Sequence, residues 1–223
     1  MRRKQTVNDG KRRMVYRFFI LAAVFLTGCS SFYTWRGNYR NLSGDYVSAL
    51  DDYNEAIERN PQNSSAYNSR AAVYYIAGRY DDALRDINRA IEIDPSQGIY
   101  YNNRAGVYYE FGEYRQCLEA LDVALKLSPD YVRAYLNRAR LYFEMKEYEA
   151  ALNDCTKAIE LDSCSAEAYR MRGHCYRQLA RQVSDDLLNS EYLQKAQTDS
   201  ETAANLVRED PKGQEKRERR ISF

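Results

Sequence analysis

Residues Ser65 to Gly98 read SAYNSRAAVYYIAGRYDDALRDINRAIEIDPSQG, and this 34-residue pattern recurs on both sides. Tyrosine returns at Tyr33, Tyr67, Tyr101, Tyr135 and Tyr169, followed four residues later by Gly37, Ala71, Ala105, Ala139 and Gly173. Small residues at that spacing mark close approach of two helices. Gly44, Gly78 and Gly112, with Lys146 in the fourth copy, precede an aromatic at Tyr46, Tyr80, Tyr114 and Tyr148. Glycine there ends one helix and the next begins. In the second half Ala49, Ala83, Cys117 and Ala151 are followed by Tyr53, Ile87, Leu121 and Cys155, then by Ala56, Ala90, Ala124 and Ala158. Spacings of four and three put these on one helical face. Pro61, Pro95, Pro129 and Ser163 close the units, proline stopping the second helix.

Each unit therefore reads as a two-helix hairpin that cannot bury its apolar face alone and stacks on its neighbours. On these columns the chain resembles the tetratricopeptide repeat family from about Ser30 to Leu206, most fully in repeats two to four. Repeat one has Arg40 where later copies have Tyr74, Tyr108, Tyr142 and Tyr176. In repeat five the first helix spans Ala166 to about Ala180 and RQVSDDLLNS replaces the glycine turn. A second helix follows near Glu191 to Leu206, where Ala196, Ser200 and Ala203 restore the spacing. Residues 181–190 read as an insertion lengthening the helix or the loop of a terminal cap. The resemblance implies an all-α, right-handed superhelical solenoid of about five hairpins, with units near 31–64, 65–98, 99–132, 133–166 and 167–207. The charged tail 208–223 lacks apolar periodicity and is expected to be disordered.

Residues 1–17 carry seven Lys or Arg and one acid, Asp9, ahead of an apolar run from Phe18 to Leu26 and the sequence Leu26-Thr27-Gly28-Cys29. A basic flank, a short apolar segment and small residues before a cleavage point read as an export signal. The apolar segment is shorter than the roughly 20 residues a bilayer core requires. Leu26 to Cys29 resemble the bacterial lipoprotein signal, which implies removal of residues 1–28, lipidation of Cys29 and a membrane-anchored envelope protein. An uncleaved signal anchor is the alternative. Ser30 lacks the aspartate associated with inner-membrane retention, which favours the periplasmic face of the outer membrane. Removing residues 1–28 would take the formal net charge from +1 to −5. That sign and the absence of a clustered basic face argue against nucleic-acid binding. With almost no linker after Cys29, Phe32, Tyr33 and Trp35 either meet the lipid surface or pack the first hairpin.

Chemistry is sparse. His174 is the only histidine, and no metalloprotease, nucleophile-elbow or phosphate-loop motif occurs. No enzyme, metal or cofactor is expected. Cys117 and Cys155 fall in core columns, Cys164 in a loop and Cys175 on a helix. Buried thiols acting as small hydrophobes are the default reading, and Cys155 with Cys175 is the pair that adjacent hairpins could bring together.

The resemblance also implies that first helices line a concave groove, which places there Asn68, Ala72 and Tyr75, then Asn102, Gly106 and Tyr109, then Leu136, Arg140 and Phe143, then Arg170, His174 and Arg177. Aromatics can hold peptide side chains and amides its backbone, so Asn68, Tyr75, Asn102, Tyr109, Arg133, Arg140, Phe143 and Arg170 are the candidate peptide-binding residues. The cations favour an acidic segment or a terminal carboxylate. The function expected is a lipid-anchored scaffold with a protein or peptide partner. Homotypic assembly, a structural lipoprotein without a dedicated ligand, and an enzyme using the fifth-repeat insertion are the alternatives. A second arginine column, Arg36, Arg70, Arg104, Arg138 and Arg172, reads as structural. It is expected to pair between repeats: Arg70 with Asp52, Arg104 with Asp86 and Arg172 with Asp154, leaving Arg138 opposite Ala120.

Overall fold

The computed structural model describes residues 30–215, so the segment expected to be an export signal, Cys29 and the last eight residues of the tail lie outside the described part. The described residues form ten long helices: α1 Ser30–Leu42, α2 Tyr46–Arg59, α3 Ser64–Ile76, α4 Tyr80–Ile93, α5 Gly98–Glu110, α6 Tyr114–Leu127, α7 Val132–Glu144, α8 Tyr148–Leu161, α9 Ala166–Gln182 and α10 Asp186–Glu209. The chain divides after Asp94 into two units, the described part of the first holding α1–α4 and that of the second α5–α10. Within each unit consecutive helices pack as antiparallel hairpins, and each second helix also packs on the first helix of the next hairpin. This is the all-α hairpin stack that the period predicts.

The turns between paired helices share one construction. Gly44, Gly78 and Gly112 have φ of 82°, 71° and 72°, the left-handed region, and Lys146 adopts 64° in the same column. In the second hairpin the Gly78 amide donates to the Tyr75 carbonyl and the Arg79 amide to that of Tyr74. The same two bonds close the turns at Gly44, Gly112 and Lys146. These bonds satisfy carbonyls that the helix end would leave open. Second helices stop at Asn60, Asp94, Ser128 and Asp162, whose φ values of −143°, −139°, −138° and −138° lie outside the helical region. Proline after the first three disfavours helical backbone there. Asp162 adopts the same geometry before Ser163, so the stop does not depend on proline alone.

The small column allows close contact, since a Cβ on Gly37 would stand 2.5 Å from the Tyr53 ring. Second-helix columns form the cores: Ala49 and Tyr53 meet Val73 in the first unit, while Cys117, Leu121 and Ala124 meet Ala134 and Leu141 in the second. Cys155 and Cys175 share a core cluster with Ala139 and Ala151, both as free thiols.

The terminal hairpin departs from expectation in length. α9 has 17 residues against 13 in α7, and α10 has 24 against 14 in α8. The insertion is thus absorbed by both helices, leaving residues 183–185 as the link. The tail also differs from the disorder expected from 208 onward. Helix α10 runs to Glu209, and residues 211–215 add a further helical turn. There the buried Gln214 amide donates to the Cys164 carbonyl (2.8 Å) and accepts from the Ala166 amide (3.2 Å). The tail thereby satisfies backbone groups at the start of α9.

Candidate peptide-binding face

Four arginines of the column, Arg36, Arg70, Arg138 and Arg172, hold a carboxylate of their own hairpin, and Arg138 also takes Asp122 of the preceding one. Arg70 holds Asp86 through Nε (2.7 Å) and a terminal nitrogen (2.8 Å). Arg138 holds Asp154 in the same two-pronged way, at 2.8 Å on each prong. Arg172 holds Asp199, at 2.9 and 2.8 Å. Arg36 takes Asp52, which also accepts from Arg40. The expected pairs Arg70–Asp52 and Arg172–Asp154 therefore do not form, and Asp86 is engaged by Arg70 instead of Arg104. The helical rise carries each guanidinium across to the second helix of its own hairpin, where the buried carboxylate sits.

Arg138 is also not the arginine left without an acid. It has Asp154 and, at 2.7 Å, Asp122. Arg104 is the exception: its buried Nε has no hydrogen-bond partner among the described residues, and its guanidinium lies over the rings of Tyr101 and Tyr108. Hydrogen bonding to Asp154 raises the Arg138 pKa, and Asp199 does the same for Arg172. Each of these guanidinium groups is held in place by its acid within the hairpin.

A different set of first-helix residues remains open. In the first unit Asn68 and Tyr75 are half-buried on α3, and the Tyr75 ring packs 5.4 Å from Tyr80. In the second unit Tyr109 on α5 packs on Tyr114 at 5.8 Å, and Phe143 on α7 packs on Tyr148 at 5.3 Å. Each of these aromatics thus braces its own turn while leaving part of its ring accessible. Asn102 differs from its expected role. It is 2 % exposed, and its Oδ1 accepts from Asn137 at 2.9 Å. The side-by-side packing of α5 and α7 draws this amide into the interior, and Leu136 is buried as well.

Toward α9 the face opens and becomes cationic. Arg140 and Arg170 are exposed, and Arg133 is half-buried, with burial pulling its guanidinium below the usual arginine range. Arg140 pairs with Glu167 at 3.1 Å. The His174 ring lies 6.5 Å from Phe143, so aromatic and basic residues adjoin. Beyond them a cleft of about 490 Å³ lies between Arg170, His174 and Arg177 of α9 and Ser200, Val207 and Arg208 of α10. Arg177 donates to the Ser200 hydroxyl at 3.1 Å, fixing one wall. Burial, then the charges of Arg177 and Arg170, hold His174 below its ordinary pKa.

Sequence reasoning named the α9 side of this cleft but not Ser200, Val207 or Arg208. It also missed Asp199, although a signal existed: Asp199 follows Ala196 by three residues, as Asp154 follows Ala151. No group of three or more His, Cys, Asp or Glu residues is placed to hold a metal ion among the described residues.

Comparison with known proteins agrees with the geometry. Residues 64–97 and 132–163 match the tetratricopeptide repeat family. No curated protein matches the sequence. Among solved structures, the chain is similar to TTC0263, a thermophilic TPR protein of Thermus thermophilus, with 20 % identity, a TM-score of 0.65 and coverage of 86 % of this chain and 96 % of that one. It is similar to YrrB, described as a TPR protein with an unusual peptide-binding site, at 20 % identity and a TM-score of 0.58, covering 79 % of this chain and 90 % of that one. The first TPR of Spaghetti (RPAP3), bound to the HSP90 peptide SRMEEVD, matches at 24 % identity with a TM-score of 0.52, covering 53 % of this chain and 94 % of that one.

Proposed function

We propose that this chain is a lipid-anchored interaction scaffold of the bacterial cell envelope that holds an acidic peptide segment of a partner protein. Its tetratricopeptide repeats and the absence of a matched catalytic family favour binding over catalysis. The observation that carries the reading is the run of partly accessible side chains in the second unit, from Tyr109 through Arg140 and Phe143 to His174 and the basic α9–α10 cleft. Aromatic rings receive apolar peptide side chains. Arg133, Arg140, Arg170 and Arg177 supply charge-assisted hydrogen bonds to carboxylates. Asn68 and Tyr75 present corresponding columns in the first unit. Two proteins of similar fold are described with a peptide site or a bound peptide, one of them an acidic sequence, which supports the class of ligand.

The anchor is assigned to Cys29 from the sequence Leu26-Thr27-Gly28-Cys29, and the location to the periplasmic face of the outer membrane. No helix among the described residues is long and apolar enough to cross a membrane.

The test is site-specific photo-crosslinking in living cells with a benzophenone side chain in place of Tyr109 or Phe143. A partner captured from both positions and lost when Arg170→Glu and Arg177→Glu are added supports the reading. Capture indifferent to the charge reversals overturns the acidic ligand. Crosslinks only to the same chain would favour homotypic assembly instead.

A further inference from the structure

The first hairpin leaves Tyr39 exposed and Phe32 half-exposed, in two columns that every later hairpin buries. In hairpins two to five the third and tenth positions of the first helix are Ala66 and Val73, Tyr100 and Val107, Ala134 and Leu141, and Ala168 and Cys175, and all eight are buried. The matching residues of α1 are Phe32 and Tyr39. Tyr39 is 67 % exposed, and on the same stripe Trp35 is 62 % and Leu42 82 % exposed. The rings form a continuous row, with Phe32 6.2 Å from Trp35 and Trp35 stacked 6.4 Å from Tyr39. Past the turn Val47 is 75 % exposed, in a column that is Asp81, Arg115 and Glu149 in the following hairpins.

We infer that this aromatic stripe of α1 and the start of α2 rests on a phospholipid surface, taking the bilayer interface as its cover where later hairpins take a protein neighbour. Three observations select lipid. The Tyr39 column is Val73, Val107, Leu141 and Cys175 in later hairpins and the Trp35 column is Ser69, Asn103, Asn137 and Met171, whereas α1 places there Tyr and Trp, whose apolar rings with a polar edge suit the headgroup region. Ser30, directly after Cys29, is only 6 % exposed, donates to the Ala56 carbonyl at 2.7 Å and accepts from the Asn63 amide. The chain is thus pinned to the first hairpin with no spacer, and any membrane-inserted group at Cys29, or in the apolar run Phe18–Leu26, brings α1 to the surface. Finally, α1 carries no acid, so anionic headgroups meet no carboxylate on the helix itself; Arg36 and Arg40 are held by Asp52, and the nearest exposed carboxylate, Asp45, lies in the turn before α2.

The inference rests on the membrane association proposed above but not on the chemistry of the anchor. The stripe from Phe32 to Leu42 extends about 15 Å along the helix axis, so α1 lies along the surface.

Trp35 is the only tryptophan of the chain and reports its own environment. The full chain is reconstituted into phosphatidylethanolamine–phosphatidylglycerol vesicles, with and without brominated acyl chains, and flotation and the mass of the Cys29 peptide are read in parallel. The expected result is a blue shift of Trp35 emission, a several-fold loss of emission in brominated vesicles and protection from aqueous iodide. A chain that floats with acylated Cys29 but keeps Trp35 open to iodide and unquenched by bromine overturns the inference while leaving the anchor reading intact. Quenching of a floating chain whose Cys29 is unmodified supports the inference and removes the lipidated anchor. A chain that does not float removes both. Iodide protection without vesicles points to other covers and also overturns it: a second copy if protection depends on concentration, the chain's own amino-terminal segment if it does not. Trp35→Ser with Tyr39→Ser should lower vesicle binding of the Cys29→Ser chain several-fold at unchanged helix content, because both side chains are exposed in the fold.

Discussion

Arg104 is the residue whose surroundings fall furthest from those of its column. Asp86 answers Arg70 and Asp154 answers Arg138 sixteen residues on, but the same step from Arg104 reaches the buried Ala120. Ala120→Asp should supply the missing acid and raise stability by about 1.5 kcal/mol, the scale of a hydrogen bond to a charged group. A shift of the urea midpoint to higher concentration would show it, and no shift or a lower midpoint would refute it. The converse change, Asp86→Ala, leaves a largely buried guanidinium without its acid and should cost about 3 kcal/mol. Lys146 occupies a left-handed turn position that glycine fills in the first three hairpins. Lys146→Gly relieves a steric cost of about 1 kcal/mol, to be read as a gain in thermal midpoint.

The terminal hairpin shows how elements rather than single residues build the candidate site. Because α9 and α10 both outrun their counterparts, they meet along a longer seam whose open edge is the basic cleft. Gln214 secures the start of α9 from the tail. Gln214→Ala strips partners from a backbone amide and a carbonyl and should cost about 1–2 kcal/mol, with faster amide exchange at Ala166. In the cleft, His174 is surrounded by Arg170 and Arg177 of its own helix, the Phe143 ring of α7 and Arg208 of α10, with Glu167 toward the start of α9. Its pKa is lowered in the fold, so the unfolded chain binds its proton first as pH falls. The associated stability is present above the ordinary value of 6.5 and is lost as pH drops through the lower folded value. Exposure keeps this contribution small. For a ligand the sign reverses: protonation adds a cation to the cleft, so an acidic peptide should bind more tightly as pH falls through the lowered folded value of His174. Fluorescence anisotropy with a labelled acidic peptide checks this, and His174→Gln should flatten the dependence.

At the scale of the whole molecule, the membrane-facing role proposed for the first hairpin and the partner-binding role proposed for the second unit are distinct, and Cys29→Ser is the change that separates them. That variant should leave the envelope fraction while keeping its fold. Loss of captured partners with it would tie binding to the membrane. Hairpin boundaries, turn glycines and core columns could be read from the chain because they depend on spacing along a helix, which sequence states directly. The 34-residue period, the small column from Gly37 to Gly173 and the proline stops needed no tertiary information. The arginine partners did, because one helical face can reach either neighbouring helix and only the packed register chooses. Asn102 illustrates the same limit: its column is expected to face a groove, yet the approach of α7 draws its amide inside. Length was equally hidden in repeat five, where residues 181–190 show no periodicity of their own but continue two helices once packed. Sequence by itself determined the repeating hairpin, because that is a local pattern of apolar spacing and turn chemistry. Tertiary structure alone decided which charges are spent inside the fold and which faces remain uncovered, because pairing and burial belong to the contact between helices.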